Sequence, residues 1–227
     1  MSAKLSRREF IKVSAVGGGL LLGFHLPAGQ KTRAQTAETT FMPNAYIRIT
    51  SDNTITLMVH RSEMGQGVQT AIPMILADEL EADWTQVRLE QAPADSAYGD
   101  QATGGSVSIS SSYGTLRLAG ATARTMLIAA AAQIWNVDPA ECRAENSVVI
   151  HEEKQLSYGE LAATAATLPV PRRQELQLKD PSAFRLIGRS IPNVLTPQYV
   201  DGTAQFASDV RLPGMLYAAV ARCPVFG

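Results

Sequence analysis

The residues that could do chemistry begin with Gly65-Gln66-Gly67, inside "HRSEMGQGVQTAIPMILADELEADW" (60–84). Glycines let backbone N–H groups approach a ligand with no side chain in the way. A helix amino terminus just beyond them adds unpaired donors and a favourable dipole. Together they describe an anion site, for a phosphate or a polar heterocycle. Gln66 adds one donor and one acceptor suited to an amide-like ring edge. A second loop, Thr103-Gly104-Gly105-Ser106, again precedes a helical run, with Ser108, Ser110, Ser111 and Ser112 close behind. The two loops suit a ligand with phosphates and a polar ring. The same residues also suit a plain turn and a solvated serine-rich loop, and the spacing is that of neither a Walker motif nor G-x-G-x-x-G.

Other reactive types form no set. His60 and His151 read as structural or exposed, and Glu63 and Glu79 are bases by type only. No Ser/His/Asp arrangement is signalled. The two cysteines, Cys142 and Cys223, are too few for a zinc or iron–sulfur ligand set and read as buried or free thiols.

The elements that must hold these loops follow from periodicity. "AYIRIT" and "TITLMVH" alternate around Ser51-Asp52-Asn53, a β-hairpin. Ile72, Ile75, Leu76 and Leu80 have helical spacing, and Pro73 places the helix start near Gln69 or Thr70. "QVRLEQAP" is a strand. "TLRLAGATARTMLIAAAAQIW" is a long alanine-dense helix built for close packing. Asp138-Pro139 opens a short helix, "SVVIH" is a strand, and Ser157 with Glu160 forms a capping box before "LAATAATL". "PVPRRQELQLKDPS" (169–182) reads as a linker. "YVDGTAQFASDV" and "MLYAAVARCPV" read as strands around the turn "RLPG".

Composition fits a folded domain: 45% of the 227 residues are hydrophobic and 18% are charged. The net charge of −1 conceals a split. Residues 1–34 carry six basic residues and one acid. The other 193 carry 14 basic and 20 acidic, a net of −6, which argues against a nucleic-acid partner. The basic start precedes "VSAVGGGLLLGF", an apolar run too short to span a bilayer, which is the layout of an export signal. Ser6-Arg7-Arg8-Glu9-Phe10-Ile11-Lys12 resembles the twin-arginine (Tat) signal, implying the Tat translocase as a partner and a periplasmic destination. Cleavage after Ala34, or after Ala28, is expected.

"SEMGQGVQT", "TGGSVSISSSYGTLRLAGATAR", "AAAQIWNVDPAEC" and "DVRLPGMLYAAVARCPVFG", in this order, carry a resemblance. Over about residues 42–227 the chain resembles the molybdopterin-binding (large, beta) subunit of the xanthine dehydrogenase/aldehyde oxidase group, isoquinoline 1-oxidoreductase type. The resemblance implies an α+β fold. Residues 1–34 would be the Tat signal and 42–168 a mixed α/β portion of the molybdopterin-binding domain. After the linker (169–182), residues 183–227 would begin a hammerhead-like α/β domain.

It also implies molybdopterin as cofactor, often as the cytosine dinucleotide. Gln66 would bond the pterin, Gly65 and Gly67 would allow close approach, and Thr103, Gly104, Gly105 and Ser106 would add contacts. The group hydroxylates N-heterocyclic aromatics or aldehydes with water as oxygen source, a glutamate taking the proton. Electrons leave through [2Fe–2S] clusters in a small partner subunit. Neither the Gly-Val-Gly-Glu-like segment with that glutamate nor a Gly-Gly-Phe-Gly-type loop occurs in this sequence. No catalytic residue is therefore named, and residues 1–227 alone are expected neither to hold the cofactor nor to turn over substrate. Asn193, Leu195 and Tyr199 stand where relatives usually carry Arg, Asp and Lys, so anchoring between domains is expected to differ there. The alternative from another class is a secreted non-catalytic domain that binds a small ligand or a protein.

Overall fold

The structure is a computed structural model and describes residues 40–225. The export signal lies outside the described residues.

The expected hairpin forms. Strand β2 (Ile47–Thr50) pairs antiparallel with β3 (Ile55–Val59), and β1 (Thr40–Asn44) adds to the outer side of β2. Asp52 closes the turn by accepting from the Thr54 N–H and from the Thr50 and Thr54 hydroxyls. Alternation along β3 implies one buried face, yet all five of its residues are buried. β4 (Val87–Gln91) joins the free edge of β3, and it joins it in parallel. Parallel neighbours need a crossover, and helix α1 (Val68–Leu80) supplies it. The loops that leave β3 and β4 therefore emerge from the same, carboxyl, edge of this strand pair.

Helix α1 begins at Val68. Pro73 is thus its sixth residue, one turn deeper than proline's tolerance suggested, and the Gln69 carbonyl loses its helical N–H partner. Helix α2 (Ser108–Trp135) starts seven residues before the run "TLRLAG", so Ser108 to Ser112 belong to its first turns and not to a loop. It packs on α1 through Gly120, where an added Cβ would lie 2.7 Å from the Glu79 Cβ and 2.8 Å from the Leu76 carbonyl oxygen. Only a glycine permits that backbone approach. Leu116, Ala119, Ala123, Leu127, Ala130 and Ala131 carry the contact along the helix into the core.

A second sheet, β5 (Arg143–Glu145), β6 (Val148–His151) and β7 (Lys154–Ser157), is an antiparallel meander. The Ser157–Glu160 capping box opens α3 (Tyr158–Ala165) as read from sequence. Tyr158 is fully buried and donates to the Leu80 carbonyl at the end of α1 (2.6 Å), while Gly159 N–H bonds Asn53 Oδ1 in the hairpin turn (2.9 Å). Asp138 caps a single turn of 3-10 helix, Pro139–Glu141.

The segment 169–182 holds two 3-10 turns and is tied to α1 and α2. Arg117 and Arg124 of α2 donate to the carbonyls of Lys179 and Gln177. Lys179 reaches Asp78 (2.7 Å) and Glu81 (2.6 Å). The fully buried Asp78 carboxylate also accepts the backbone N–H groups of Arg185, Leu186 and Ile187. Beside it the buried Glu79 is bridged by Arg117 (2.6 Å) and Arg124 (3.3 Å).

The strands expected in 199–210 and 215–225 do not form among the described residues. Thr196–Asp201 is a short helix, α4, and beyond Gly202 only the turn Ala207–Asp209 is regular. Leu216, Tyr217 and Val220 are exposed. A lone hairpin is marginal without a sheet or helix to cover it, and no described element covers this one.

Candidate functional site

The structure brings the two glycine loops together. A cavity of about 430 Å³ is lined by Met64, Gln66, Val68 and Ala71 on one side and by Thr103, Gly104, Gly105, Ser106, Ser108 and Ile109 on the other. The loops are stitched by one bond: the Ser62 N–H donates to Thr103 Oγ1 (2.9 Å). Gly65 and Gly67 sit at φ +97° and +82°, and Gly105 with Ser106 at +59° and +58°. The last two are the centre of a mirror-image turn closed by Val107 N–H to the Gly104 carbonyl (3.3 Å). Gly104 is different. Its φ is ordinary and no atom lies within 4 Å of an added Cβ. Neither backbone strain nor internal packing asks for glycine there.

The anion reading of the first loop needs correcting. Its amides are already filled, by a carboxylate of the same chain. Glu63 Oε1 accepts from Gly65 N–H (2.8 Å) and Gly67 N–H (2.9 Å), and Oε2 from Gln69 N–H (2.9 Å). Partial burial raises the proton affinity of Glu63, but these bonds outweigh it and hold the carboxyl below its usual range. Glu63, a base by type alone in the sequence, is the anion that caps α1. Its position two, four and six residues before those amides was the available signal. Gln66 is also engaged, donating Nε2–H to the Ser62 carbonyl (2.8 Å) and accepting from the Met64 N–H. One amide hydrogen and one oxygen lone pair remain for a ligand. The α2 terminus, by contrast, has no side-chain cap and no acid in its first turn.

A residue missed from sequence holds the second loop. The Arg61 side chain is 2% exposed. Its guanidinium donates to Asp100 Oδ2 (3.2 Å), to the Ala102 carbonyl and to Ser111 Oγ (3.0 Å). It thus binds the approach to Thr103 onto the first turn of α2. Next to it His60 is buried, with Nε2 on Ser112 Oγ (2.9 Å) and Tyr46 edge-on at 5.3 Å. Burial, and then the Arg61 charge, lower its pKa and keep it neutral. His151 is also buried, against Glu141 (3.1 Å). Both histidines are buried, each with Nε2 engaged. Asn193 accepts the Leu195 N–H (2.9 Å), and Val194 N–H bonds Thr70 of α1 (3.1 Å), so this segment docks beside the first loop. Tyr199 stacks on Phe206 (centroids 6.3 Å) and with it lines a cavity against Glu63, Met64 and Gly65. Among the described residues no group of three or more His, Cys, Asp or Glu could hold a metal ion.

The family model described as "Molybdopterin cofactor-binding domain" matches residues 4–205. The chain belongs to that family, within the xanthine dehydrogenase group that its motifs resemble. It is 31% identical to the beta subunit of isoquinoline 1-oxidoreductase from Brevundimonas diminuta, over 100% of this chain and 34% of that protein. It is 34% identical to a protein of Gluconacetobacter polyoxogenes named membrane-bound aldehyde dehydrogenase [pyrroloquinoline-quinone], over 95% of this chain and 29% of that one. A nicotinate dehydrogenase subunit of Pseudomonas putida is 31% identical over 80% of this chain and 15% of its own length. The chain spans about a third, or less, of the relatives it matches. A crystal structure of quinoline 2-oxidoreductase from Pseudomonas putida 86 aligns with 53% of this chain and 16% of that one, at a TM-score of 0.38 and 18% identity.

Proposed function

We propose that this chain supplies the two glycine loops that hold the pterin of molybdopterin in a molybdenum hydroxylase large subunit. The observation that carries the reading is Gly104, a glycine the chain's own packing does not require, on the wall of a cavity shared by both loops. The lining fits the group: Met64, Val68, Ala71 and Ile109 give apolar faces for a flat ring system, and Gln66, Thr103 and Ser106 give polar edges. The cofactor, as the cytosine dinucleotide, would supply the redox chemistry. The residues here bind and orient it, and Arg61 fixes the second loop. The substrate would be an N-heterocyclic aromatic or an aldehyde, as the names of the relatives suggest. Electrons would pass to a small [2Fe–2S] partner subunit. The test is metal and nucleotide analysis of the full-length large subunit purified with that partner. Molybdenum with a cytosine nucleotide supports the reading; a bound quinone would favour the cofactor in the aldehyde dehydrogenase's name.

Gln66→Ala removes an amide facing the ring and leaves a ring atom unpaired, at a cost of about 1–3 kcal/mol. Cofactor retention should fall about 5- to 150-fold, read as molybdenum per folded protein after dilution, with the apo melting temperature as control. Full retention would remove Gln66 from the site.

The maturation route belongs to the same reading. The Arg7-Arg8 pair supports export through the Tat translocase, which carries folded, cofactor-loaded proteins to the periplasm. Replacing both arginines by lysine should leave the protein in the cytoplasm. Fractionation that finds the double variant in the periplasm at the normal level would exclude this route. Among the described residues no helix is long and apolar enough to cross a membrane.

A further inference from the structure

The Gly-Gln-Gly loop is built as though for an anion, and an anion of the chain itself is in it. Three amides converge on one carboxylate at 2.8–2.9 Å. Two come from glycines in the left-handed region, which turns their N–H groups to the same side. Without the carboxylate these amides and the α1 dipole would face a solvent-exposed stretch, since Met64, Gly65 and Gln66 are all exposed. The Glu63 bonds and the two Gln66 bonds are what define the loop's shape.

We propose that Glu63 is a positioning residue. Its carboxylate occupies the amide cradle permanently, holds Gln66 at the cavity wall, and prevents anions from binding at the α1 terminus. The consequence is selectivity: this loop takes an uncharged polar edge of a ligand, through Gln66, and not a phosphate. That the ligand is the pterin rests on the function proposed above; that Glu63 shapes the loop does not.

The variants are Glu63→Ala, which empties the cradle, and Glu63→Gln. The glutamine keeps an oxygen for Gly65 and Gly67 but sets an NH2 group against the Gln69 N–H. Formate is the probe, a free carboxylate small enough to enter the emptied cradle, with chloride at equal ionic strength as control. Two readouts are taken: hydrogen exchange at the Gly65, Gly67 and Gln69 amides of the chain, and molybdenum retention in the complex purified with its partner.

In Glu63→Ala, exchange at the three amides should speed up by about tenfold or more, and molybdenum retention should drop by a similar factor. Formate should restore both and chloride neither. Glu63→Gln should lose protection mainly at Gln69 and fall between the two. Unchanged exchange in Glu63→Ala overturns the proposal. So does wild-type molybdenum retention in a variant whose amides have become unprotected, because the loop's shape would then not matter to the ligand. A wild-type complex without molybdenum would overturn the cofactor reading instead, and the exchange and formate arms would still decide whether Glu63 holds the loop.

Discussion

Replacing Asp78 by alanine should lower the melting temperature by roughly 6–12 °C. The side chain is fully buried and answers Lys179 Nζ and three backbone N–H groups of residues 185–187. Its removal leaves the three N–H groups without their acceptor, while Lys179 keeps the residue-78 carbonyl. Breaking a buried pair by removing one partner costs about 3–5 kcal/mol. Glu81 still answers Lys179, so the lower end, about 3 kcal/mol, applies. At roughly 2–4 °C per kcal/mol for a chain of this size, the shift follows. Burial raises the Asp78 pKa, but the bonds from Ile187, Lys179, Leu186 and Arg185 outweigh it, and the folded value lies below the ordinary one. The stabilisation is therefore complete above the ordinary aspartate pKa and is lost as pH falls through the depressed folded value. Thermal melts across the acid range should show that loss in the wild type and not in Asp78→Ala. Equal melting of the two at neutral pH would mean that Asp78 adds nothing to the hold on residues 177–187.

Gly120 gives the second large effect, and a sign that separates two ideas. Propensity alone predicts that Gly120→Ala stabilises α2 by about 1 kcal/mol. The contact with α1 predicts the reverse, since even the alanine Cβ would lie 2.7–2.8 Å from Glu79 and Leu76 atoms that cannot swing aside. Gly120→Val should be worse, by about 3 kcal/mol or more, as overpacking and a stiff χ1 combine. Urea denaturation of both variants measures it. The wedge would also spread the two helices whose amino termini carry the glycine loops, so molybdenum retention should fall with stability. A stabilised Gly120→Ala would show that the helices part without cost.

Much of this was legible because it is local. The hairpin turn at Asp52, the Asp138 cap and the Ser157–Glu160 box each involve residues within a few positions of one another. The two glycine loops were legible singly. Their meeting was not, because it depends on β3 and β4 pairing in parallel, a contact between distant residues. Residue type misleads at Glu63, since a carboxylate beside an amide cradle looks like a base until the N–H directions are known. Asp78 and Glu79 look like one polar face of a helix until α2 and the strap from 100 residues later pack over them. Residues 199–210 and 215–225 read as strands, but a strand pattern becomes a strand only where a neighbour pairs with it.

The parallel pairing of β3 and β4 has a mechanical consequence for the cavity. Val59 and Gln91 are register partners, and the Val59 carbonyl accepts both the Ala92 N–H (2.8 Å) and the Gln91 side chain (2.9 Å). The jaws of the cavity thus hang from two adjacent strands of one sheet, about 4.8 Å apart. The backbone hydrogen bonds of the sheet fix where the two jaws start, and side chains fix how they meet: Arg61 holds the second loop and Thr103 accepts the Ser62 N–H. Either jaw can be re-cut, lengthened or exchanged while its hinge stays in place. What a ligand feels as the width of this clamp is set jointly by the sheet that roots the jaws and by the side chains that tie them.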